Sequence, residues 1–242
     1  MRKFYKLPRL YVMDALACGG TLVFDKAQSH YLARVLRRKI DDQVRLFNGR
    51  DGEYLATISQ TSKQKLTLSV DEQTRPFKPA PDIWLLFAPI KPKRNVFSVE
   101  KATELGAALI QPVITARTTA KINMDKMQAH TIEAAEQTER LDLPCLGEPQ
   151  KLADLLADWD ETRTLIFADE AGDAKPAAKT LAKIKAPAAI LIGPEGGFTE
   201  AERQTLRAKF YCTPISLGPR ILRADTAAAA TLALWQAVSG DW

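Results

Sequence analysis

The chain has 242 residues and a hydrophobic content of 46%, enough for one large or two modest domains with a buried core. Its net charge of +5 is unevenly spread: residues 1–75 hold 14 Lys/Arg against 8 Asp/Glu and residues 76–242 hold 20 against 21, which favours a polyanionic partner for the first segment. Cys18, Cys145 and Cys212 are odd in number and lack a Cys-x-x-Cys spacing, which argues against a disulfide framework or a zinc site and for a reducing cytoplasm, and no window approaches the roughly 20 apolar residues of a membrane span.

MRKFYKLPRLYVMDALACGG has the basic start and the Ala-Leu-Ala-Cys of a secretory leader. Its apolar stretch between Arg9 and Cys18 is short and broken by Asp14, so no leader is expected. Next, Leu32, Val35 and Leu36 lie at helical spacing, leaving Arg34, Arg37 and Arg38 largely on other faces: a short amphipathic helix with a basic side. Val44, Leu46, Tyr54, Ala56 and Ile58 alternate around the turn Asn48-Gly49-Arg50-Asp51-Gly52, and Leu66, Leu68 and Val70 alternate again. A small β-rich domain is expected over 1–74. DEQTRPFKPAPD, residues 71–82, is charged and holds three prolines, so it reads as the linker to a second domain over 75–242.

In that second domain apolar strand-like runs alternate with helical patterns. Strands are expected at Ile83 to Ala88, Leu109 to Ile114, Leu165 to Ala168, Ala188 to Ile192 and Pro214 to Leu217. Helices are expected over Val96 to Leu105, Met127 to Arg140, Glu200 to Lys209 and Thr226 to Val238. This is the α/β pattern of a mainly parallel sheet, in which ligands bind beyond the carboxyl ends of the strands.

Two stretches occupy such strand ends. In ILIGPEGGFTEAE, Gly193, Gly196 and Gly197 let the backbone approach a ligand, Pro194 stiffens the turn, and Thr199 with Glu202 forms a capping box for the next helix. Neither Gly-x-G-x-x-Gly nor the P-loop spacing is present, and Glu195 would repel a pyrophosphate, so the loop suits a ligand with little negative charge. ISLGPRILRADTAAAATLALWQ repeats the plan, with a Gly218-Pro219 turn, then Arg220 and Arg223 beside Asp225, then an alanine-rich helix. A turn with a solvent-facing Glu195 and an Arg223–Asp225 salt bridge are the plain structural readings. Glu136 and Arg140, four apart, read as an ion pair on one helix face. His30 and His130 have no metal-ligand spacing, and no metal is expected.

IGPEGGFTEAE together with LGPRILRADTA closely resembles the C-terminal motifs of the RsmE family, the 16S ribosomal RNA (uracil-1498 N3)-methyltransferases of the SPOUT superfamily. HYLARVLR and LFNGRDGEYLATI resemble that family's PUA-like RNA-binding domain, and KRNVFSVEKATELGAALIQPVITART and EAAEQTERLDLPCL its middle blocks. The family usually reads Arg-Thr-Glu-Thr-Ala where this chain has Arg223-Ala224-Asp225-Thr226-Ala227, a carboxylate shortened by one methylene.

The resemblance implies a C-terminal trefoil knot, a homodimer, and S-adenosyl-L-methionine bound by three loops: the one after TLIFADE, the GPEGG loop and the LGPRIL loop. The cofactor-binding residues would be Phe167, Ala168, Ile192, Gly193, Glu195, Gly196, Gly197, Leu217, Gly218, Ile221 and Leu222, the glycines giving access to the main chain and Ile192, Leu217, Ile221 and Leu222 covering the base. The acceptor implied is 16S rRNA within the 30S subunit, contacted by Arg34, Arg37, Arg38, Arg94 and Arg140, with no membrane and no metal involved. Uracil N3 carries a proton near pH 7, so transfer needs an acceptor for it and a cation for the resulting anion. Arg223 is the expected cation, with Asp225 or Glu195 as proton acceptor or orienting group. Two alternatives remain: a SPOUT methyltransferase for another RNA or base atom, and a ribosome assembly factor without turnover.

Overall fold

A computed structural model describes residues 4–62, 65–169 and 174–242. The chain forms two compact units, the first of residues 1–79 and 135–143, the second of residues 80–134 and 144–242.

The first unit is a five-stranded sheet of β1 (Arg9–Tyr11), β2 (Thr21–Phe24), β3 (Gln43–Phe47), β4 (Glu53–Thr61) and β5 (Leu66–Arg75), in the order β1-β3-β4-β5-β2. Only the β1/β3 pairing is parallel. Alternation sends Val44, Leu46, Ala56, Ile58, Leu66, Leu68 and Val70 into one core with Leu22, Phe24 and Leu32. β5 continues through Arg75, so the first five residues of the expected linker are strand: their backbone pairs with β4, which outweighs the loop-like composition. Between β2 and β3, α1 (Lys26–His30) starts on a capping box made by Asp25 and Gln28 and runs directly into a π-helical turn, Tyr31–Val35.

The other face of this sheet is also covered, and by charge. Arg9 and Arg45 are register partners on β1 and β3, and Glu53 and Arg75 on β4 and β5. The Glu53 carboxylate accepts from Arg9 Nε at 2.6 Å, Arg75 Nη2 at 2.7 Å and Thr74 Oγ1 at 2.8 Å, with Arg45 Nη1 at 3.6 Å. The same arginines hold the returning segment 135–143. Arg9 donates to the carbonyls of Ala135, at 2.6 Å, and Arg140, Arg45 Nη1 reaches Glu139 Oε1 at 2.8 Å, and Arg75 Nη2 donates to Glu139 O at 3.0 Å.

The second unit is built on an eight-stranded sheet ordered β11-β13-β10-β12-β6-β7-β8, with β9 paired to β7 off this path. Its strands are β6 (Ile83–Phe87), β7 (Leu109–Ile114), β8 (Cys145–Leu146), β9 (Gln150–Lys151), β10 (Thr164–Ala168), β11 (Lys175–Pro176), β12 (Ala188–Ile192) and β13 (Cys212–Ser216). Its helices are α2 (Pro92–Glu104), α3 (Met124–Gln137, whose last three residues belong to the first unit), α4 (Leu152–Ala157), α5 (Ala177–Leu181), α6 (Glu200–Arg207) and α7 (Ala224–Ser239). Every strand pairing in it is parallel. Alternate residues of the central strands enter two cores. Leu85, Phe87, Ile166, Ile190, Ile192 and Ile215 pack with α2, α5 and α7 residues such as Val99, Leu181, Leu232 and Trp235. Leu86, Leu165, Phe167 and Leu191 pack with α4 and α6 residues Leu155, Leu156 and Leu206. The near-continuous apolar strands follow from being covered on both sides.

Burial opposes a charge on Glu53, but the hydrogen bonds of Arg75 and Arg9 outweigh it and bring its pKa from 4.5 down to about 2. A folded-state pKa below the unfolded one stabilises the fold above pH 4.5 and loses that contribution as pH falls toward 2. Glu53→Gln should therefore cost roughly 3–5 kcal/mol at pH 7, since it leaves buried arginines uncompensated. All four Trp lie in the second unit, so hydrogen exchange at the β4 amides is the measurement, and the gap between the two proteins should narrow as pH falls from 4.5 toward 2.

Candidate active site

β13, β10, β12 and β6 are neighbours, all parallel, with Ala168 opposite Ile215, Phe167 opposite Leu191 and Ile192 opposite Phe87. Their carboxyl ends therefore coincide. The loops that leave them begin at Asp169, Gly193, Leu217 and Ala88, so the GPEGG and LGPRIL loops emerge on either side of the β10 loop. That middle loop, after TLIFADE, runs into residues 170–173, which lie outside the described residues. Ala88 N donates to Ile192 O at 2.9 Å and Asp169 N to Ile215 O at 3.0 Å, extending the pairing one residue past the strands.

A charge cluster closes the edge. The chain leaving β6 enters α2 with Pro92 in its first turn, which needs no amide there, and Arg94 follows two residues later. Its Nη1 lies 3.5 Å from Glu195 Oε1 and 4.0 Å from Asp225 Oδ1. Asp225, in the first turn of α7, is the better held carboxylate: its side chain is 15% exposed against 44% for Glu195, and Oδ1 accepts from Thr226 N at 2.9 Å. Acidic residues are favourable at a helix start, where the free amides carry partial positive charge.

The expected residues divide by position. Asp225 and Glu195 come together, but the cation between them is Arg94, expected among the RNA contacts, and not Arg223. Arg223 is the exposed N-cap residue of α7 and has no ion-pair partner among the described residues. The Arg223–Asp225 salt bridge of the plain reading is thus replaced by one from another strand end, a pairing of residues 131 positions apart that local spacing cannot reveal. Phe167 is fully buried and meets Phe198 edge-on, ring centroids 5.5 Å apart, so only its backbone faces the strand-end edge. Ile192 is buried and Leu217, Leu222 and Ala168 partly so, all four in or against the core. Ile221 instead stands in solvent at 92% exposure, because the Gly218 turn, with φ of +101°, carries it off the sheet; it covers nothing in this structure.

The glycines of GPEGG differ in purpose. A Cβ at Gly193 would come within 2.9 Å of the Phe198 ring, so that glycine makes room for the loop's own aromatic anchor. Gly197 has φ of +68°, which an L side chain adopts only under strain, and its amide donates to Pro194 O at 2.8 Å. Gly196 is exposed and has ordinary room for a Cβ, which would lie 3.5 Å from Arg117. The protein's own packing does not require glycine at 196. Phe198, Arg117 and the second contact of Glu202, whose Oε1 accepts from Ala116 N at 2.7 Å, were invisible in sequence. Arg117 follows an apolar strand-like run, and that strand-end position was the one available signal.

The first unit carries the other expected contacts. The basic helix is α-helical only to His30; the π-helical turn bonds Leu36 N to Tyr31 O, five residues back, at 2.9 Å. The extra residue per turn rotates Val35 out to 57% exposure while Leu32 stays buried, correcting the Leu32-Val35-Leu36 stripe. Arg34 and Arg37 are exposed, beside exposed Tyr31 and Val35, whereas Arg38 is partly buried. Arg140 is turned inward, its Nε 2.7 Å from Asp142 Oδ1. The helix ends at Gln137, and Glu139 has φ of +60°, so Glu136 and Arg140 are not i,i+4 neighbours on one face; Glu136 Oε1 accepts from Tyr11 N at 2.9 Å. Among the described residues no helix is long and apolar enough to cross a membrane, and no group of three or more His, Cys, Asp or Glu could hold a metal.

Residues 78–236 match the RNA methyltransferase domain family and residues 24–71 the RNA methyltransferase PUA domain. The chain is similar to the ribosomal RNA small subunit methyltransferase E of Rickettsia conorii, 32% identical over 232 residues and 94% of each chain. It is similar to the protein of that name from Synechocystis, 34% identical over 236 residues, 93% of this chain and 76% of that one. Among solved structures, a Legionella pneumophila methyltransferase in complex with bound SAM matches with a TM-score of 0.87 at 30% identity, over 98% of this chain and 99% of that one. The ribosomal RNA small subunit methyltransferase E of Neisseria gonorrhoeae, bound to S-adenosyl methionine, matches with a TM-score of 0.87 at 27% identity and the same coverage.

The contrast between the glycines is measurable. Gly193→Ala should lower stability by roughly 1–3 kcal/mol by overpacking against Phe198, while Gly196→Ala should stay within about 0.5 kcal/mol of the parent. Urea unfolding followed by tryptophan fluorescence checks both, all four Trp lying in this unit.

Proposed function

Since the chain belongs to the RNA methyltransferase family, we propose that it methylates N3 of a uracil in 16S ribosomal RNA, position 1498, on the small ribosomal subunit, using S-adenosyl-L-methionine. The single observation that carries this reading is the meeting of the GPEGG and LGPRIL loops at one sheet edge, with Arg94, Glu195 and Asp225 between them.

The residues present fit the cofactor. The amides of Glu195 and Gly196 donate to nothing among the described residues, and the adjacent carboxylates suit a ligand with cationic groups. S-adenosyl-L-methionine supplies a methyl group on a positively charged sulfur. Backbone of the GPEGG and LGPRIL loops would hold it, with Ile192, Leu217 and Leu222 as apolar lining and Ala168 beside the middle loop.

Arg223 is assigned to the uracil oxygens: its guanidinium has no acidic partner among the described residues, and its planar fork suits two acceptors at once. Asp225 receives the N3 proton, held by Arg94, which also fixes Glu195. Arg34 and Arg37 contact phosphate, and the first unit serves as the RNA-binding, PUA-like domain. Exposed Phe97 and Val238 on α2 and α7 support pairing with a second copy. The C-terminal segment is assigned the trefoil knot of SPOUT proteins and the protein a cytoplasmic location, where small subunits reside.

The decisive experiment is methyl transfer to small subunits that lack the modification, with the methylated nucleotide mapped by mass spectrometry. A product at another nucleotide or base atom overturns the substrate assignment. Absence of transfer, with subunit binding intact, leaves an assembly factor.

Arg223→Ala should slow single-turnover transfer by roughly 10² to 10³-fold with cofactor affinity nearly intact, the scale of losing one preorganised charge stabiliser. Asp225→Asn should also slow it, with partial rescue at higher pH if the carboxylate takes the proton. Full activity in both moves the assignment to Glu195.

A double Arg34→Ala/Arg37→Ala variant should bind small subunits less tightly, with a salt dependence shallower by about one to two phosphate contacts and unchanged cofactor affinity. Filter binding across a salt series measures it, and an identical slope assigns these arginines to solubility.

A further inference from the structure

We infer that Arg117 is a positioning residue of the cofactor site: it fixes the peptide between Gly196 and Gly197, and so holds the Glu195 and Gly196 amides toward the ligand. The inference rests on the reading of the GPEGG loop as a binding site for S-adenosyl-L-methionine.

Arg117 stands three residues past β7, on a different strand end from the loop it holds. Its Nη1 donates to Gly196 O at 2.6 Å and to Phe198 O at 3.3 Å. Donation from a charged guanidinium makes such bonds stronger than neutral ones. The other end of the Gly196–Gly197 peptide is also tied, Gly197 N donating to Pro194 O at 2.8 Å. With carbonyl and amide both fixed, that peptide cannot flip, and the preceding Glu195–Gly196 peptide keeps its orientation. The same Gly197 bond ties the Pro194–Glu195 peptide through its carbonyl, and the amides of Glu195 and Gly196, one from each of these two peptides, find no acceptor among the described residues.

Arg117 is itself held in place. Thr118 N donates to Thr115 O at 3.1 Å and Thr115 N to Thr118 Oγ1 at 3.0 Å, closing the turn around it. Glu202 of α6 binds that turn through Ala116 N at 2.7 Å, while its other oxygen accepts from Thr199 N at 2.8 Å. The turn thus holds the GPEGG loop through Arg117, and the helix after the loop holds the turn through Glu202. Each charged side chain spans between strand ends and bonds to backbone, so neither interaction depends on which ligand occupies the site. Arg117 and Gly196 are both exposed, so water can reach the Gly196 carbonyl once the side chain is removed.

The test uses the full chain with Arg117→Ala, Arg117→Lys and Gly196→Val, S-adenosyl-L-methionine affinity by calorimetry, and steady-state methylation of unmodified small subunits. Arg117→Ala should raise both Kd and KM for the cofactor about tenfold, with kcat at saturating cofactor within about twofold of the parent and subunit affinity unchanged. Arg117→Lys should recover part of the loss, because an ammonium keeps the charge and the donors but sits on a shorter side chain than the Nη1 that meets both carbonyls. Hydrogen exchange at Gly197 should quicken in Arg117→Ala and less so in Arg117→Lys.

Unchanged cofactor affinity in Arg117→Ala overturns the inference. So does a loss confined to subunit affinity, which makes Arg117 a phosphate contact, or an equal fall in kcat and stability, which makes it a folding residue. If Gly196→Val weakens the cofactor and Arg117→Ala does not, the inference alone fails. If neither does, the loop is not the cofactor site.

Discussion

Every candidate side chain in the second unit owes its place to one constraint, the parallel pairing of β6, β12, β10 and β13. Parallel strands need crossovers, and each crossover returns the chain to the same end of the sheet. Loops separated by many residues in sequence then begin within one strand spacing of each other, about 4.8 Å. Register does the rest: with Phe167 opposite both Leu191 and Pro214, no strand end is recessed behind its neighbours. A one-residue slip of β12 would turn Ile190 and Ile192 from the α2/α7 side to the α4/α6 side, so the two-sided core resists the slip.

The electrostatics follow from that geometry. Glu195, from a loop, and Asp225, from the first turn of α7, would repel each other across the edge; Arg94, from the first turn of α2, lies between them. A shared cation holds two carboxylates close together without neutralising both. The N-terminal unit solves a harsher version of the problem. Arg9, Arg45 and Arg75 meet Glu53 under cover, and burial lowers the Arg9 pKa to about 10, still far above neutral. Three of the cations behind the N-terminal charge excess therefore face inward, and the surface available to a polyanion is less basic than composition implies. Arg34 and Arg37 are exposed.

Much of the second unit was legible because its strands are apolar runs and its longer helices keep a 3.6-residue period over 13 to 16 residues. α4 and α5, with six and five residues, are too short to show a period. The π-helical turn defeats periodicity in another way, since five residues separate its bonded groups and Val35 moves off the stripe it would occupy in an α-helix. The charged face of the first unit joins Arg9 to Glu53, 44 residues away, and to Ala135, 126 residues away, distances over which local pattern says nothing. The site divides similarly. Glycine turns at strand ends were readable as chemistry of the backbone, but the Arg94 pairing, the inward turn of Arg140 and the Phe198 ring under Gly193 are tertiary facts.

That ring changes what the glycine-rich loop means. Its conformation is fixed by the protein itself: Phe198 fills the space left by Gly193, Gly197 turns through positive φ, and two hydrogen bonds, from Arg117 Nη1 to Gly196 O and from Gly197 N to Pro194 O, hold the Gly196–Gly197 peptide. Ordering a loop on binding costs on the order of 1 kcal/mol or more per residue, and here that cost is met when the chain folds. Gly196 is the exception, since nothing in the folded chain demands its lack of a side chain. An exposed glycine with no internal reason for its missing side chain, on a loop already rigid, is what the proposed approach of a ligand to the main chain requires. Rigidity also restricts what can approach, because the loop's fixed amides and the two carboxylates beside Arg94 present one set pattern of donors and charge.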